Sequence, residues 1–306
     1  MDDFFARVFM RKYVPQWLFA GGVILLILSA FIWWFDVYEN PYNVYWGMLA
    51  NSLSTSSVTK HVVDKSSTAN LDQYVGQQFG IHSLAYGRTT LTNTTSVVKT
   101  ESIGTLKDDY VRYTGIQTKQ KNAQGKDLDF SKVLGKWGHS VATNASAQSS
   151  GTPFFIQSML GLGGGNLIPI ANLTATQRQN LIVQLHQNVV FSTSFSDVKK
   201  SQFHGQPVYT YTVSVEPVAY VGFEKTFADD LGIKALDSID PNNYQGQQAV
   251  KVKLTVDIYS HHLAQVSYTG TQHQETYSSY GVPINQKLPR ATISSQALQN
   301  LISHIQ

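Results

Sequence analysis

One stretch constrains this chain more than any other. Residues 17–35 read WLFAGGVILLILSAFIWWF, 19 residues without a charge. About 20 apolar residues in a helix cross a hydrocarbon core of roughly 30 Å. Tyr13 and Trp17 lie at one end, and Trp33, Trp34 and Tyr38 at the other. Aromatic rings at both ends make interfacial belts. Arg7, Arg11 and Lys12 precede the run, while Asp36 and Glu39 follow it. The positive-inside rule then puts residues 1–15 in the cytoplasm and everything after the span outside it. A cleaved signal peptide would carry a shorter apolar run ending in small residues. This run ends in FIWWF with no A-x-A site, so residues 16–37 read as an uncleaved transmembrane helix. Phe4, Phe5, Val8 and Phe9 fall at helical spacing before it, as an interfacial extension of the same helix.

The rest must fold without disulfides, because the chain has no cysteine. Thiolate chemistry, Cys-ligated zinc and acylation at a lipobox are excluded for the same reason. Some 250 residues can instead be held by core burial, whose share rises with size. Charged residues make up only 14%, against about 25% in an average soluble domain. Outside residues 1–14, 20 basic residues face 18 acidic ones. So small an excess excludes a nucleic-acid partner, which needs clustered cations to displace counterions.

Hydrophobic periodicity divides the outer part. Residues 38–70 read as a membrane-proximal helix and a Ser/Thr-rich linker, the helix resting on Tyr45, Met48 and Leu49 at i, i+3, i+4. Residues 71–306 read as one β-rich domain. Alternation marks strands across 71–140, 190–215 and 250–278, with VYTYTVSV and VKVKLTVDIY the clearest. Residues 153–165 (PFFIQSMLGLGGG) and 174–188 read as two helical segments joined at Gly161, Gly163, Gly164 and Gly165. Thr174 or Thr176 is the expected N-cap. Pro217 opens a third helix with Ala219, Phe223, Phe227 and Leu231 on one stripe and Gly232 closing it. A last helix covers 294–305. The fold class is therefore α+β, a large antiparallel sheet with a few helices behind an N-terminal anchor.

Catalytic signatures are missing. There is no G-x-S-x-G elbow, no HExxH and no P-loop, so neither an enzyme nor a cofactor or metal site is expected. His261 and His262 are expected as solvated turn residues, and His262 and His273 as neighbours on paired strands. Asn93, Asn144 and Asn172 begin glycosylation sequons, expected to be unmodified in a bacterial envelope.

From GQPVYTYTVSV through the Phe-rich helix to VKVKLTVDIYSHHLAQVSYTG, residues 190–275 resemble the lipoprotein-carrier superfamily of LolA-like and LppX/LprG-like proteins. A strand ending in Asp, a tight turn, Leu and a return strand carry the likeness. It implies a half-open barrel wrapped over helices, an apolar cavity for lipid or lipoprotein acyl chains, and an extracytoplasmic place at a bacterial cell membrane. Those relatives are soluble or lipid-anchored, whereas this chain has a protein anchor. Phe154, Phe155, Met159, Leu160, Leu181, Tyr209, Tyr211, Phe223 and Phe227 are the expected cavity lining, with the glycine run as a lid hinge. The rival expectation is a solid domain that docks another envelope protein as a structural or assembly subunit.

Overall fold

The alternating stretches assemble into one sheet whose two ends are covered differently. The computed structural model describes residues 22–141, 153–160 and 166–305. Residues 1–15, Trp17, the 142–152 loop with Asn144, and the hinge positions Gly161, Gly163, Gly164 and Gly165 lie outside the described residues. Helix α1 (Gly22–Tyr38) leads into α2 (Pro41–Ser52) and a meander of β1 (Ser57–Lys65), β2 (Ala69–Gln78), β3 (Leu84–Asn93), β4 (Ser96–Gly104), β5 (Asp108–Thr118) and the short β6 (Gly138–Val141). Helices α3 (Phe154–Met159) and α4 (Ala175–Gln187) follow, then β7 (Phe191–Thr193), β8 (Lys199–Phe203), β9 (Gln206–Val215) and α5 (Pro217–Asp230). The chain closes through β10 (Val250–Asp257), β11 (Leu263–Tyr268), β12 (His273–Ser278), β13 (Ile293–Ser294) and α6 (Ser295–Ser303).

The strand order is β13-β6-β5-β4-β3-β2-β1-β12-β11-β10-β9-β7, with β8 pairing the other stretch of β9. Every pairing is antiparallel except the short β6–β13 contact. Among the described residues nothing joins the β13 edge to the β7 edge, so the sheet is open. A twisted sheet of this width must curl, and α2 to α5 fill the curl. Side-chain caps and prolines open these helices. Asn40 Oδ1 accepts from Tyr42 N at 2.9 Å and Pro41 sits at the first turn of α2. Thr174, not Thr176, caps α4 in a reciprocal capping box with Gln177. Gly232, at φ +69°, turns the chain away after α5.

The core joins α2 (Val44, Tyr45, Met48, Leu49) to α4, α5, β9 and β10. Residues 38–70 are therefore not a helix and linker ahead of the domain. α2 lies in the middle of the core, and β1 sits in the sheet between β2 and β12. Strand β1 escaped a periodicity reading because two of its inward positions hold Lys60 and Asp64. No single described helix is long and apolar enough to cross a membrane; α1 and α2 pass that test only together, and they are bent by 70°. The two differ in surroundings, since α2 is buried and α1 is exposed along 22–37.

Candidate functional site

Helix α3 lies on β3 and β4 because two glycines clear the space. A Cβ at Gly87 would meet Phe154 Cζ at 2.5 Å, and one at Gly104 would meet Phe155 N at 2.6 Å. Polar contacts hold α3 at both ends. Phe154 N donates to both carboxylate oxygens of Asp109 at 2.9 Å. Burial pushes the Asp109 carboxyl up to about 6, against the pull of that N–H, and Asp108 adds to the rise. Further along, Gln77 Nε2 donates to Ser158 Oγ at 3.0 Å, and Ser158 Oγ donates to Phe155 O at 2.8 Å.

The structure brings most of the expected lining residues together. Phe155, Met159, Leu160, Leu181, Tyr211, Phe223 and Phe227 share one buried cluster, and Phe154 and Tyr209 pack against it half-buried. Residues that sequence reading did not single out join the same cluster: Tyr45, Met48 and Leu49 of α2, and Ile168 and Ile170. Tyr211 OH donates to Pro41 O at 2.8 Å and Tyr209 OH to Glu39 O at 3.1 Å, so these tyrosines fasten the α1–α2 corner.

Among the expected interfacial aromatics, Trp33 and Trp34 are both exposed and both contact Tyr38, with ring centres 6.1 and 4.7 Å away, and Trp34 Nε1 donates to Glu39 Oε1 at 2.7 Å. Tyr38 stacks on His261 at 4.5 Å and donates to Tyr259 O at 2.7 Å. A wide helical turn over Trp33–Tyr38 presents this face, closed by Glu39 N donating to Trp34 O. Glu39 is buried, with Lys200 Nζ 3.6 Å from its Oε2.

The turn histidines are not solvated. His261 is buried under Tyr38, and His262 stacks on Tyr280 at 4.2 Å. Burial lowers both pKa values. Nor do His262 and His273 meet, because β11 pairs β12 in a register that sets Val266 opposite Glu275 and leaves them at opposite ends.

His273 belongs to a polar seam that sequence reading missed. On the core face of β1 and β12, Lys60 opposes Tyr277, Val62 opposes Glu275 and Asp64 opposes His273. His273 Nε2 lies 3.1 Å from Glu275 Oε1 and Nδ1 lies 3.2 Å from Asp64 Oδ2, while Tyr277 OH donates to Glu275 Oε2. Glu275 first, then Asp64, raises the His273 pKa against burial. Lys60 is buried as well, and burial lowers its pKa while the Glu275 charge works the other way. Where the seam meets solvent, a cleft of about 750 Å³ is lined by Asp64, Lys65, Ser66, Tyr268, Gly270, Thr271, Gln272 and His273. The signal in the sequence is Lys60, Val62 and Asp64 at alternating positions, within a Ser/Thr-rich stretch that reads as a linker.

No family model matches the chain, and no curated protein matches it. Among solved structures it resembles the crystal structure of LprF from Mycobacterium bovis, at 14% identity and a TM-score of 0.42, over 81% of this chain and 96% of that one. The described residues of this chain form a large, mostly antiparallel open sheet with several helices, the α+β class expected from the sequence.

Proposed function

We propose that this chain is a membrane-anchored, extracytoplasmic binding protein that holds the acyl chains of a lipid or lipoprotein between its curved sheet and α3, without catalysis. The anchor reading is supported by α1, whose Val23, Ile24, Leu25, Leu26, Ile27 and Leu28 are all exposed. A helix apolar on every side is stable only inside a protein or a bilayer. The ligand reading is carried by the seat of α3. There Phe155, Met159 and Leu160 fill the space between sheet and helices, while the helix is held by the Asp109–Phe154 and Gln77–Ser158 contacts, which can open and close. Opening would free apolar surface for acyl chains, each buried methylene contributing about 0.8 kcal/mol. The charge bias around the span, with Arg7, Arg11 and Lys12 before it and Asp36 and Glu39 after it, supports an extracytoplasmic domain.

The test uses the full chain in lipid nanodiscs with a photoactivatable acyl probe, followed by mapping of labelled peptides. Labelling is expected in α1, from the bilayer, and separately in residues 153–160. Labelling confined to α1 removes the carrier reading in favour of a subunit that docks an envelope protein. Absence of label in α1 removes the anchor. Orientation is checked by impermeant maleimide on spheroplasts, where Ser66→Cys should react and Ala6→Cys should not.

A further inference from the structure

We propose that Lys60 binds the anionic head, a carboxylate or a phosphate, of the acyl-chain ligand lying along the inner face of β1. The inference rests on the carrier reading above. Four residues of β1 alternate inward: Val58, Lys60, Val62 and Asp64. Val58 stands opposite Gln77, whose amide reaches Ser158 of α3. Asp64 stands opposite His273 at the cleft. Six residues of strand span about 20 Å, so β1 runs from beneath α3 to the solvent mouth with Lys60 between.

Lys60 is 2% exposed, and among the described residues no hydrogen bond or ion pair reaches its ammonium, whose tip keeps a trace of accessible surface. The carboxylate whose field reaches it is already engaged, one Glu275 oxygen with His273 and the other with the Tyr277 hydroxyl. A buried ammonium without contact to an anion loses several kcal/mol of hydration. A small anion touching Lys60 would offset that loss. Val58, Val62 and Val75 surround it on the same face, all buried, and would receive the first methylenes of the chain. A neutral or zwitterionic head gives Lys60 no net charge to pair with. Glu275 and Asp64 repel a head with more than one or two negative charges.

The experiment compares four photoactivatable probes of equal chain length on the full chain in phosphatidylcholine nanodiscs: a fatty acid, a monoacyl phosphate, a monoacylglycerol and a monoacyl phosphocholine. Labelling of the β1 and α3 peptides is normalised to labelling of α1, which meets every probe through the bilayer. At least one anionic probe should label the domain about tenfold more than the neutral and zwitterionic probes, the effect of one charge-assisted hydrogen bond. The fatty acid to phosphate ratio then tells which anion is preferred. Lys60→Met should abolish the preference while neutral-probe labelling persists. Equal domain labelling by all four probes overturns the head-group assignment and leaves the carrier reading intact. No domain labelling by any probe overturns both. A preference that survives Lys60→Met overturns the role of Lys60. Should Lys60→Met fail to fold, Lys60→Gln replaces it, and the wild-type head selectivity still decides.

Discussion

The two halves of the sheet differ in what covers them. From β7 to β12 the inner face is backed by α2, α4 and α5. There Val252, Leu254 and Val256 oppose Val213, Tyr211 and Tyr209 strand to strand, nearly all of them fully buried. From β2 to β5 most side chains are half-buried or exposed on both faces. Those strands rely on their ladder and on polar cross-strand contacts. Gln73 Nε2 donates to Thr89 Oγ1 at 2.9 Å, and Glu101 receives Arg88 and Arg112 together, with Arg112 4.6 Å from the Trp137 ring centre. A two-layer region resists opening as a unit, while a single layer opens locally. α3 lies on β3 and β4, inside the less-backed half, and joins that half to the helical core through Phe155, Met159 and Leu160.

The sharpest way to break this comparison is to truncate one side chain in each half. Phe223→Ala should lose roughly 3–5 kcal/mol, as for a fully packed aromatic, whereas Val98→Ala in β4 should lose less than about 1 kcal/mol for its half-buried methyls. Urea titrations giving equal losses would mean that the meander is as tightly backed as the helical half.

Next come the glycines beneath α3. Gly104→Ala should lose about 1–3 kcal/mol, because the added carbon meets the backbone of Phe155. Gly87→Ala should lose less, since it meets the far end of the Phe154 ring. Limited proteolysis should cut near 153–160 faster in Gly104→Ala. Identical digestion of both variants and the parent would show that α3 is not seated through these glycines.

Smaller, and resolved by pH, are two titrating groups on either side of the boundary. Asp109 is raised from 3.8 to about 6. An acid raised in the folded state binds its proton more tightly there, so its contribution is greatest below 3.8 and declines as pH rises through about 6. Asp109→Asn keeps an oxygen for Phe154 N and should be more stable than the parent near neutral pH, with the gap closing on acidification. A gap that does not change with pH would show that the charge is not what matters. His273 is raised above 6.5, so its pairing stabilises the fold below 6.5 and fades as pH rises through the higher folded value. Both contributions fall with rising pH, in separate windows. His273→Gln should flatten only the upper window in a melting-temperature profile, and loss of the lower one as well would mean that the halves are electrostatically coupled.

How much of this was legible follows from where the physics is local. The apolar run, a cap near Thr174 or Thr176, the closing glycine at 232, the strict alternation of VKVKLTVDIY and the stripe of α5 all depend on neighbours a few residues away, and the sequence alone determined them. Phe155, Leu181, Tyr211 and Phe223 stand out in the sequence as residues to be placed together, but whether they line a cavity or fill a core is not decided by their spacing. Only tertiary structure decided that α2 and β1 belong to the middle of the domain, since β12, more than 200 residues later, supplies the partner strand that makes β1 internal. The same pairing brings Asp64 to His273 and Lys60 near Glu275, turning a seemingly solvated Ser/Thr-rich linker into a buried polar seam. His261 is buried for a similar reason: Tyr38, from the far end of the chain, stacks on it. Register and long-range pairing are set by the whole sheet at once, and no window of sequence contains them.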